Sequence, residues 1–208
     1  MMKIFCSILF LVLVSASGSD TKHLEMDYGN VLSMSVESSW PENESITNKA
    51  LVLKLETQAL PEKGTPIGKG RFIKATKDIA NTTEKELYQK QRERLKGYLI
   101  SVPKGKYKVT LKFAEIKRKN AGERVFDILL QEKIVQQDFD AFKETGGIYK
   151  AIDLSFDNIE VDKFLRLEFT QKSARSTPAI AAIVITGENY SKKINCGGEA
   201  FKDYEADW

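Results

Sequence analysis

Histidine and cysteine are the scarcest reactive residues of this chain. Its 208 residues include one histidine, His23, and two cysteines, Cys6 and Cys196. A zinc site needs three or four cysteine, histidine or carboxylate ligands, and a serine or cysteine nucleophile needs a well-placed histidine. His23 lies close to the expected mature N-terminus, where a solvated tail residue is more common than a catalytic base. We therefore expect no enzymatic activity, no metal and no cofactor.

A large excess of charge of either sign is also missing. Lysine and arginine total 32, aspartate and glutamate total 29, and the formal net charge is +3. Dedicated nucleic-acid-binding domains carry a marked basic excess, so we expect no nucleic-acid partner. Hydrophobic residues make up 42% of the chain, which is enough for one domain with a packed core.

Long hydrophobic runs are missing too, apart from one short run at the N-terminus. Lys3 precedes apolar residues 4–14, and small residues follow up to Gly18. This order is typical of a cleaved secretory signal peptide, and the run is about half as long as a membrane span. Removal of residues 1–18 also removes Cys6, so Cys196 cannot form an intramolecular disulfide. We predict a protein without a membrane span that is secreted or held in the lumen of the secretory pathway.

Three N-x-[ST] sequons begin at Asn43, Asn81 and Asn189. They are candidate glycosylation sites if the source is eukaryotic, and chance occurrences if it is bacterial. The sequence leaves both readings open.

The second half of the chain alternates apolar and polar residues. Every second residue is apolar in 106–113 and in 164–169, and residues 149–156 follow the pattern less strictly. Such alternation indicates strands with one buried and one solvated face. Three further runs are more continuously apolar, as central strands tend to be: residues 125–130, 134–139 and 180–186. With turn residues between them, these strands predict an all-β fold, an antiparallel, jelly-roll-like β-sandwich.

The N-terminal part has weaker patterns. Residues 50–56 are typical of a strand, and the glycine- and proline-rich residues 61–70 are typical of a loop. Residues 84–96 are charged and lack glycine and proline until Gly97, which allows one or two helical turns.

Several short segments, in a fixed order, resemble the malectin domain, a secreted or luminal β-sandwich associated with carbohydrate binding. The resemblance runs from about Asp78 to Gly187 and is carried by the following residues in order: Asp78-Ile79-Ala80-Asn81-Thr82, Glu86-Leu87-Tyr88-Gln89, Pro103-Lys104-Gly105-Lys106-Tyr107, Leu111-Lys112-Phe113-Ala114-Glu115, Arg124-Val125-Phe126-Asp127-Ile128, Asp138-Phe139-Asp140 and Gly146-Gly147. The resemblance implies a non-enzymatic, malectin-like sandwich whose loops at one end bind a ligand.

The opening motif of that family, N-[CA]-G-G followed by acidic and aromatic residues, is displaced in this chain. It occurs at the C-terminus, as Asn195-Cys196-Gly197-Gly198 and the residues up to Trp208. Either the chain is part of a tandem array, with a second domain beginning here, or the domain is circularly permuted. We predict residues 1–18 as signal peptide, 19–68 as an N-terminal extension with at least one strand, 69–187 as the sandwich and 188–208 as the displaced segment.

The resemblance also implies where a sugar would bind. Rings of the family follow the Phe-Ala-Glu strand and the Leu-Tyr-Gln segment, and these positions fall on Lys117, Arg118 and Glu93 here. The carboxylate before the last strand falls on Arg175 or Ser176. These residue types depart from the family pattern.

The departure produces three hypotheses for the ligand. Basic side chains at the loop tips, Arg124 and Lys172 among them, favour an acidic glycan or an acidic peptide, because guanidinium groups bind carboxylate and sulfate well. Tyr204 and Trp208 are candidates for the stacking faces of a neutral-sugar site. The alternative function is a protein-interaction module that has kept the sandwich and lost the sugar site, with the loop charges merely solvated.

Two further interpretations carry less weight. The side chains of Asp127, Asp138 and Asp140 are possible calcium ligands, although aspartates at strand ends more often satisfy turns. Glu115 and Asp127 are conceivable as a glycosidase pair, although structural hydrogen bonding is the more conservative interpretation.

Overall fold

The computed structural model of the protein describes residues 65–68 and 70–207. Within these ranges the chain forms short and medium strands and two five-residue helices. Their bounds are β1 Thr65–Ile67, β2 Arg71–Lys74, α1 Lys85–Gln89, β3 Lys90–Glu93, β4 Gly97–Ser101, β5 Gly105–Ala114, β6 Phe126–Leu130, β7 Lys133–Phe139, α2 Ala141–Thr145, β8 Ala151–Val161, β9 Phe164–Gln171, β10 Ala179–Ile180, β11 Ala182–Thr186, β12 Ser191–Asn195 and β13 Glu205–Ala206.

Two five-stranded sheets form the sandwich. One has the strand order β1-β4-β9-β6-β7 and the other β13-β12-β11-β5-β8. Their inner faces share one buried core, in which Phe113 of β5 packs against Phe126 of β6 at 6.1 Å and Phe139 of β7 at 4.8 Å between ring centroids. The predicted all-β sandwich is therefore confirmed. Its pairing is antiparallel except where β13 runs parallel to β12 and at a parallel bridge between Ala80 and Lys150.

The alternating segments form the expected strands. In β5, the side chains of Tyr107, Val109 and Leu111 are buried, and the intervening Lys108 and Thr110 are on the outer face. In β9, Leu165 and Leu167 are buried in the same core. A period of two places alternate side chains on opposite faces, which is why the sequence pattern identifies the buried face.

Two other expectations need correction. Residues 134–139 form β7, which is the edge strand of its sheet rather than a central one, and Ile134 is 58% exposed. Residues 65–67, which were expected to lie in a loop, form β1 and pair with β4. The one or two helical turns expected within residues 84–96 are confirmed as α1, Lys85–Gln89, after which β3 begins. Strand β3 has an extended backbone because it pairs with β2 along one edge and with β10 along the other.

A third, small sheet of order β10-β3-β2 positions the candidate site. Its central strand β3 pairs Glu93 with Arg71 on one side and with Ala179 on the other. Three segments far apart in sequence therefore meet at one end of β3.

The C-terminal segment packs on the same domain. β12 pairs with β11 over five residue pairs, and Ile194 and Cys196 are fully buried in the main core. Beyond β13, the Asp207 carboxylate accepts hydrogen bonds from Arg92 Nε at 2.6 Å, Arg92 Nη2 at 3.0 Å and the Tyr98 hydroxyl at 2.9 Å. We call these three residues the Asp207 clamp.

Several predictions lie outside the described residues. These are the signal peptide, the strand at 50–56, the sequon at Asn43 and the stacking role of Trp208. The proposed domain boundaries stay a prediction. Within the described ranges, no helix has the length and apolar character needed to cross a membrane.

Candidate functional site

A buried carboxylate lies at the centre of the loop end. The side chain of Glu93 is 1% exposed, and three basic side chains donate hydrogen bonds to it. Arg71 Nε donates to Glu93 Oε1 at 2.6 Å, Lys117 Nζ lies 3.1 Å from the same oxygen, and Arg124 Nη2 lies 3.2 Å from Oε2. Burial opposes ionisation, but the hydrogen bonds from Arg71 and Lys117 and the charge of Arg124 outweigh it and lower the pKa of Glu93 to about 2. Glu93 is therefore an anion that binds cations of its own chain.

A second buried carboxylate, Glu115, shapes the adjoining loop. It accepts a hydrogen bond from Arg124 Nε at 2.7 Å. Its other oxygen accepts the backbone N–H groups of Lys117 and Arg118, both at 2.8 Å. Glu93, Glu115 and Arg124 thus form a nearly inaccessible ionic layer beneath the loop, which we call the buried triad.

The loop that precedes β10 meets this first loop. Arg118 Nη2 donates to the backbone oxygen of Arg175 at 3.2 Å, and Arg124 donates to the backbone oxygen of Thr177. Ser176 is buried and its hydroxyl accepts a hydrogen bond from Ser173 at 3.1 Å. The structure therefore brings together all five loop-end residues that the resemblance singled out: Glu93, Lys117, Arg118, Arg175 and Ser176.

A rim of basic side chains surrounds the buried triad. Lys117 is 40% exposed, Arg71 46% and Arg94 59%, and each lies within 4.0 Å of Glu93. Arg118 is half-buried and Arg175 exposed on the adjoining loops. We call Arg71, Arg94, Lys117, Arg118 and Arg175 the basic rim. The buried triad has a net charge of −1. It therefore offsets only part of the positive charge of the five rim residues.

Two polar atoms at this loop end are buried without a hydrogen-bond partner among the described residues. They are Nε of Arg118 and the hydroxyl of Thr177. Buried donors and acceptors are normally satisfied, and an unsatisfied one costs about 1–3 kcal/mol. Each of these two atoms therefore lacks a hydrogen bond that a water molecule or a ligand group could supply.

Two basic residues that the sequence analysis assigned to the cationic surface have structural roles instead. Arg124 belongs to the buried triad, with 4% of its side chain exposed. Lys172 forms ion pairs with Asp127 at 2.7 Å and Asp138 at 3.0 Å. Arg124 is therefore inaccessible to a ligand, and the charge of Lys172 is offset by two aspartates.

The aspartates considered as calcium ligands also have protein partners. Asp140 caps α2 by accepting the N–H groups of Phe142 and Lys143, and its second oxygen accepts that of Gly122 at 2.6 Å. Asp127 accepts the N–H of Asp138 at 2.8 Å. The described residues contain no group of three or more histidine, cysteine, aspartate or glutamate side chains that could hold a metal ion.

The remaining site residue of the described region, Tyr204, lies elsewhere. It is buried in a second hydrophobic cluster with Tyr88 and Ala182, and its hydroxyl donates to Glu84 at 3.3 Å. Its buried ring is not available for stacking on a sugar. The sequon residues Asn81 and Asn189 are both exposed, as glycosylation requires.

Comparison with known families now places the chain. A family model of the malectin domain matches residues 27–183, well over half of the chain. The chain belongs to the malectin domain family. The resemblance found in the sequence is confirmed to this extent.

Curated relatives of this malectin domain are plant receptor kinases. Two probable LRR receptor-like serine/threonine-protein kinases of Arabidopsis thaliana are 30% identical to it, over 128 and 130 residues. The matches cover 52% and 53% of this chain but only 12% and 13% of the kinases. The chain therefore spans a small fraction of the relatives it matches.

Solved structures share the fold. A β-glucuronidase of Bacteroides uniformis superposes with a TM-score of 0.55 at 24% identity, over 66% of this chain and 16% of the enzyme. The ANX2 ectodomain from Arabidopsis thaliana superposes with a TM-score of 0.51 at 16% identity, over 59% of this chain and 41% of that one. At such identities the likeness establishes the sandwich fold of the malectin domain alone.

Sequence reasoning missed two members of the basic rim, Arg71 and Arg94. Both reach Glu93, the first from β2 across the small sheet and the second from the next position in the chain. Arg71 could be predicted as a neighbour of Glu93 only from the register of β2 and β3, because the two residues are cross-strand partners.

Proposed function

We propose that this malectin domain is a non-enzymatic, extracellular ligand-binding module whose basic rim binds an acidic glycan. The observation that carries the proposal is the presence of five basic residues from four segments around the buried triad. Guanidinium forks and ammonium groups match the carboxylates of uronates and the sulfates of sulfated sugars. The buried triad makes the surface rigid, which lowers the entropic cost of binding.

The two unsatisfied atoms beside the rim support the same ligand class. Arg118 Nε is a donor that suits a carboxylate or sulfate oxygen, and the Thr177 hydroxyl suits a sugar hydroxyl. A sugar with an acidic substituent carries both kinds of group.

The absence of catalysis is part of the proposal. The carboxylates considered as a glycosidase pair are each committed to structural partners. Glu115 is held by Arg124 and two backbone N–H groups, and Asp127 is held by Lys172. A glycosidase acid needs a raised pKa, whereas the pKa of Asp127 is lowered, because the contact with Lys172 outweighs the effect of burial. An extracellular location is supported by the N-terminal run and by the likeness to a plant receptor ectodomain.

Calorimetric titration tests the binding site. The purified chain is titrated with tetragalacturonate and a heparin-derived hexasaccharide, and with maltotetraose as the neutral comparison. We expect the two acidic ligands alone to bind at the rim, with affinity that falls as salt screens the charges. The double variant Arg118→Ser, Arg175→Ser should weaken this binding by about tenfold or more, as expected from loss of charged hydrogen bonds.

A charge-matched control makes the test specific. Lys133→Ser with Lys163→Ser removes two exposed charges, one at the first residue of β7 and one in the turn between β8 and β9. This variant should keep the affinity of the unaltered chain. Equal weakening by both double variants would show diffuse charge attraction, and lack of binding to either acidic ligand would overturn the proposal in favour of the protein-interaction alternative.

We further propose that the displaced N-C-G-G segment completes this domain as a permuted strand. Its support is the docking of Ser191–Asp207 described above. Asn195 Nδ2 donates to Glu199 O at 2.6 Å, and Gly197 N donates to Asn195 Oδ1 at 2.9 Å, so the motif forms a tight turn. A Cβ on Gly197 would lie 2.3 Å from Lys90 O, so only glycine allows this close approach to β3.

A further inference from the structure

The sequon residue Asn81 lies at a cleft on the outer face of the β13-β12-β11-β5-β8 sheet. The cleft has a volume of about 680 Å³. Nine residues line it: Asn81, Thr82, Thr83, Glu84, Tyr88, Lys112, Ala151, Ile152 and Asp153. The whole sequon therefore borders the cleft, and none of the nine residues belongs to the basic rim.

The backbone holds Asn81 in a fixed turn. The carbonyl oxygen of Ala80 accepts the N–H of Ala151 at 2.9 Å, so the residue before Asn81 is tied to the start of β8. On the other side, Thr82 Oγ1 accepts the N–H of Glu84 at 3.0 Å. Between these two anchors Asn81 has a φ of 63°, in the left-handed region that asparagine adopts more readily than most residues. Its exposed amide is thus presented on an ordered turn.

The hydroxyl that the sequon requires is accessible as well. An acceptor sequon needs a serine or threonine two residues after the asparagine, which is Thr83 here. Thr83 is exposed, whereas the half-buried Thr82 uses its hydroxyl to accept the N–H of Glu84. Both groups that a glycosyl transfer needs are therefore on the surface of the folded domain.

The sequon at Asn189 is held differently. Its Ser191 pairs with Thr186 in the ladder between β11 and β12, and the Tyr190 ring packs on Tyr107 with 5.7 Å between centroids. Two of its three residues are therefore engaged in the fold. This difference makes Asn81 the sequon that the folded domain presents best.

We propose that Asn81 is a site of N-linked glycosylation, and that its glycan covers the cleft and leaves the basic rim open. The modification takes place in the secretory pathway, so it rests on the extracellular location proposed above. The curated relatives are plant proteins, which favours the interpretation of the sequons as sites of modification in a eukaryote.

The chemistry is a glycosyl transfer to the amide of Asn81. The co-substrate is an oligosaccharide joined through a diphosphate to a lipid carrier, and a transferase of the secretory pathway catalyses the step. The amide nitrogen forms a bond to the anomeric carbon of the first sugar and loses one proton. The bond between that carbon and the diphosphate oxygen breaks, and its electron pair leaves with the lipid diphosphate.

A glycan rooted here restricts access to the charged residues of the cleft. Lys112 Nζ lies 2.8 Å from Asp153 Oδ2 and 3.3 Å from Glu84 Oε2. The lysine side chain is 11% exposed, whereas the side chains of Asp153 and Glu84 are 41% and 28% exposed. Because an attached oligosaccharide is bulky, it hinders the approach of other molecules to the two carboxylates. The rim lies outside the cleft and stays available to its own ligand.

Peptide mapping of the full chain produced in eukaryotic cells tests the modification. Trypsin releases residues 78–85 as one peptide, and enzymatic removal of the glycan in heavy-oxygen water converts a modified Asn81 into a labelled aspartate. We expect the label in the unaltered chain and in Thr83→Ser, which keeps the hydroxyl, and its loss in Thr83→Val. A secreted chain with unmodified Asn81 would overturn the proposal. Retention of the chain in the cytosol would instead contradict the proposed location, and this proposal with it.

Carboxylate labelling tests whether the glycan covers the cleft. The glycosylated chain and the Thr83→Val variant are treated with a carbodiimide and an amine, and the labelled residues are located by mass spectrometry. We expect Asp153 to react several-fold less in the glycosylated chain. Asp157 is the internal control, since it also lies on β8, is 66% exposed and should react equally in both proteins. Equal reaction of Asp153 in both would show that the cleft is not covered.

Titration with tetragalacturonate tests whether the rim stays open. The glycosylated chain and Thr83→Val should bind it with the same affinity. Weaker binding by the glycosylated chain alone would show that the glycan reaches the rim, which contradicts this proposal. Lack of binding by both would count against the acidic-glycan function and leave the glycosylation of Asn81 standing.

Discussion

Glu93 shows how one residue can change the charge of a binding surface. The resemblance predicts a ring at this position, and the chain instead has a carboxylate that is 1% exposed. An isolated buried charge is costly, so the carboxylate requires the cations that surround it. Arg71, Lys117 and Arg124 supply them, and they are thereby held at the loop end. Two members of the basic rim, Arg71 and Lys117, are thus held in place by one buried anion.

Replacement of this carboxylate should change the acid stability of the domain. The pKa of Glu93 is about 2 in the folded chain, below its ordinary value of 4.5. A lowered folded-state pKa stabilises the fold above pH 4.5, and this stability is lost as the pH falls toward 2. Its size is about 3 kcal/mol by linkage. Glu93→Gln should therefore be less stable than the unaltered chain at neutral pH, and the difference should shrink as the pH falls.

Urea unfolding at a series of pH values measures this difference. Glu132→Gln, at an exposed glutamate of the β6–β7 turn, is the control and should follow the unaltered chain at every pH. A stability difference between Glu93→Gln and the unaltered chain that stays constant from neutral to acid pH would contradict the assigned ionisation of Glu93.

Strand β3 links the candidate site to the C-terminal segment. Its neighbouring residues Arg92 and Glu93 point to opposite faces, as alternation requires. Glu93 anchors the rim, and Arg92 forms the Asp207 clamp with Asp207 and Tyr98. The strand is therefore held from both faces by buried ionic contacts.

Disruption of the Asp207 clamp should destabilise the domain strongly. Asp207→Asn removes the charge opposite Arg92, whose side chain is only 6% exposed. Breaking a buried pair by removal of one partner costs about 3–5 kcal/mol. Asp203→Asn in the same segment removes an exposed pair with Lys193 and should cost less than about 1 kcal/mol. Urea unfolding measures both, and equal losses would show that the clamp contributes no more than a surface pair.

The elements differ in how far the sequence predicts them. Strands β5 and β9 are recognisable because alternation is a local property that burial of one face imposes. β7 is misjudged as central, because an apolar run does not reveal which strands flank it. The helical turns predicted within residues 84–96 are present as α1, which ends at Gln89 because the next residues pair with β2 and β10. The sequence cannot show these pairings, as they join residues far apart in the chain.

Only part of the candidate site could be predicted from the sequence, because the rest depends on contacts between residues that are far apart in the chain. The resemblance identified Glu93, Lys117 and Arg118, which do meet at one loop end. It did not reveal that Arg124 is buried, because burial depends on Glu93 and Glu115 arriving from other segments. Tyr204 likewise has an aromatic side chain that suits stacking, and only the fold shows that its ring is enclosed.

For the molecule as a whole, the open question is whether the displaced segment belongs to this domain. A segment that completes the fold must contribute to its core. Ile194 and Cys196 are both fully buried, and burial of a large aliphatic side chain stabilises by about 1.5–3 kcal/mol. Loss of β12 would also expose the edge of β11 and leave Arg92 without the carboxylate of Asp207. These losses together approach the stability of a typical domain.

A chain that ends at Gly187 should therefore unfold without a cooperative transition, as followed by circular dichroism during heating. Addition of a synthetic peptide covering residues 188–208 should restore the transition in proportion to the peptide concentration, because binding to the folded state alone stabilises it. The same peptide with Ile194→Asp should not, since a charge would enter the core. If the shortened chain unfolds cooperatively with an unchanged midpoint, the segment is the start of a second domain in a tandem array, and permutation is excluded.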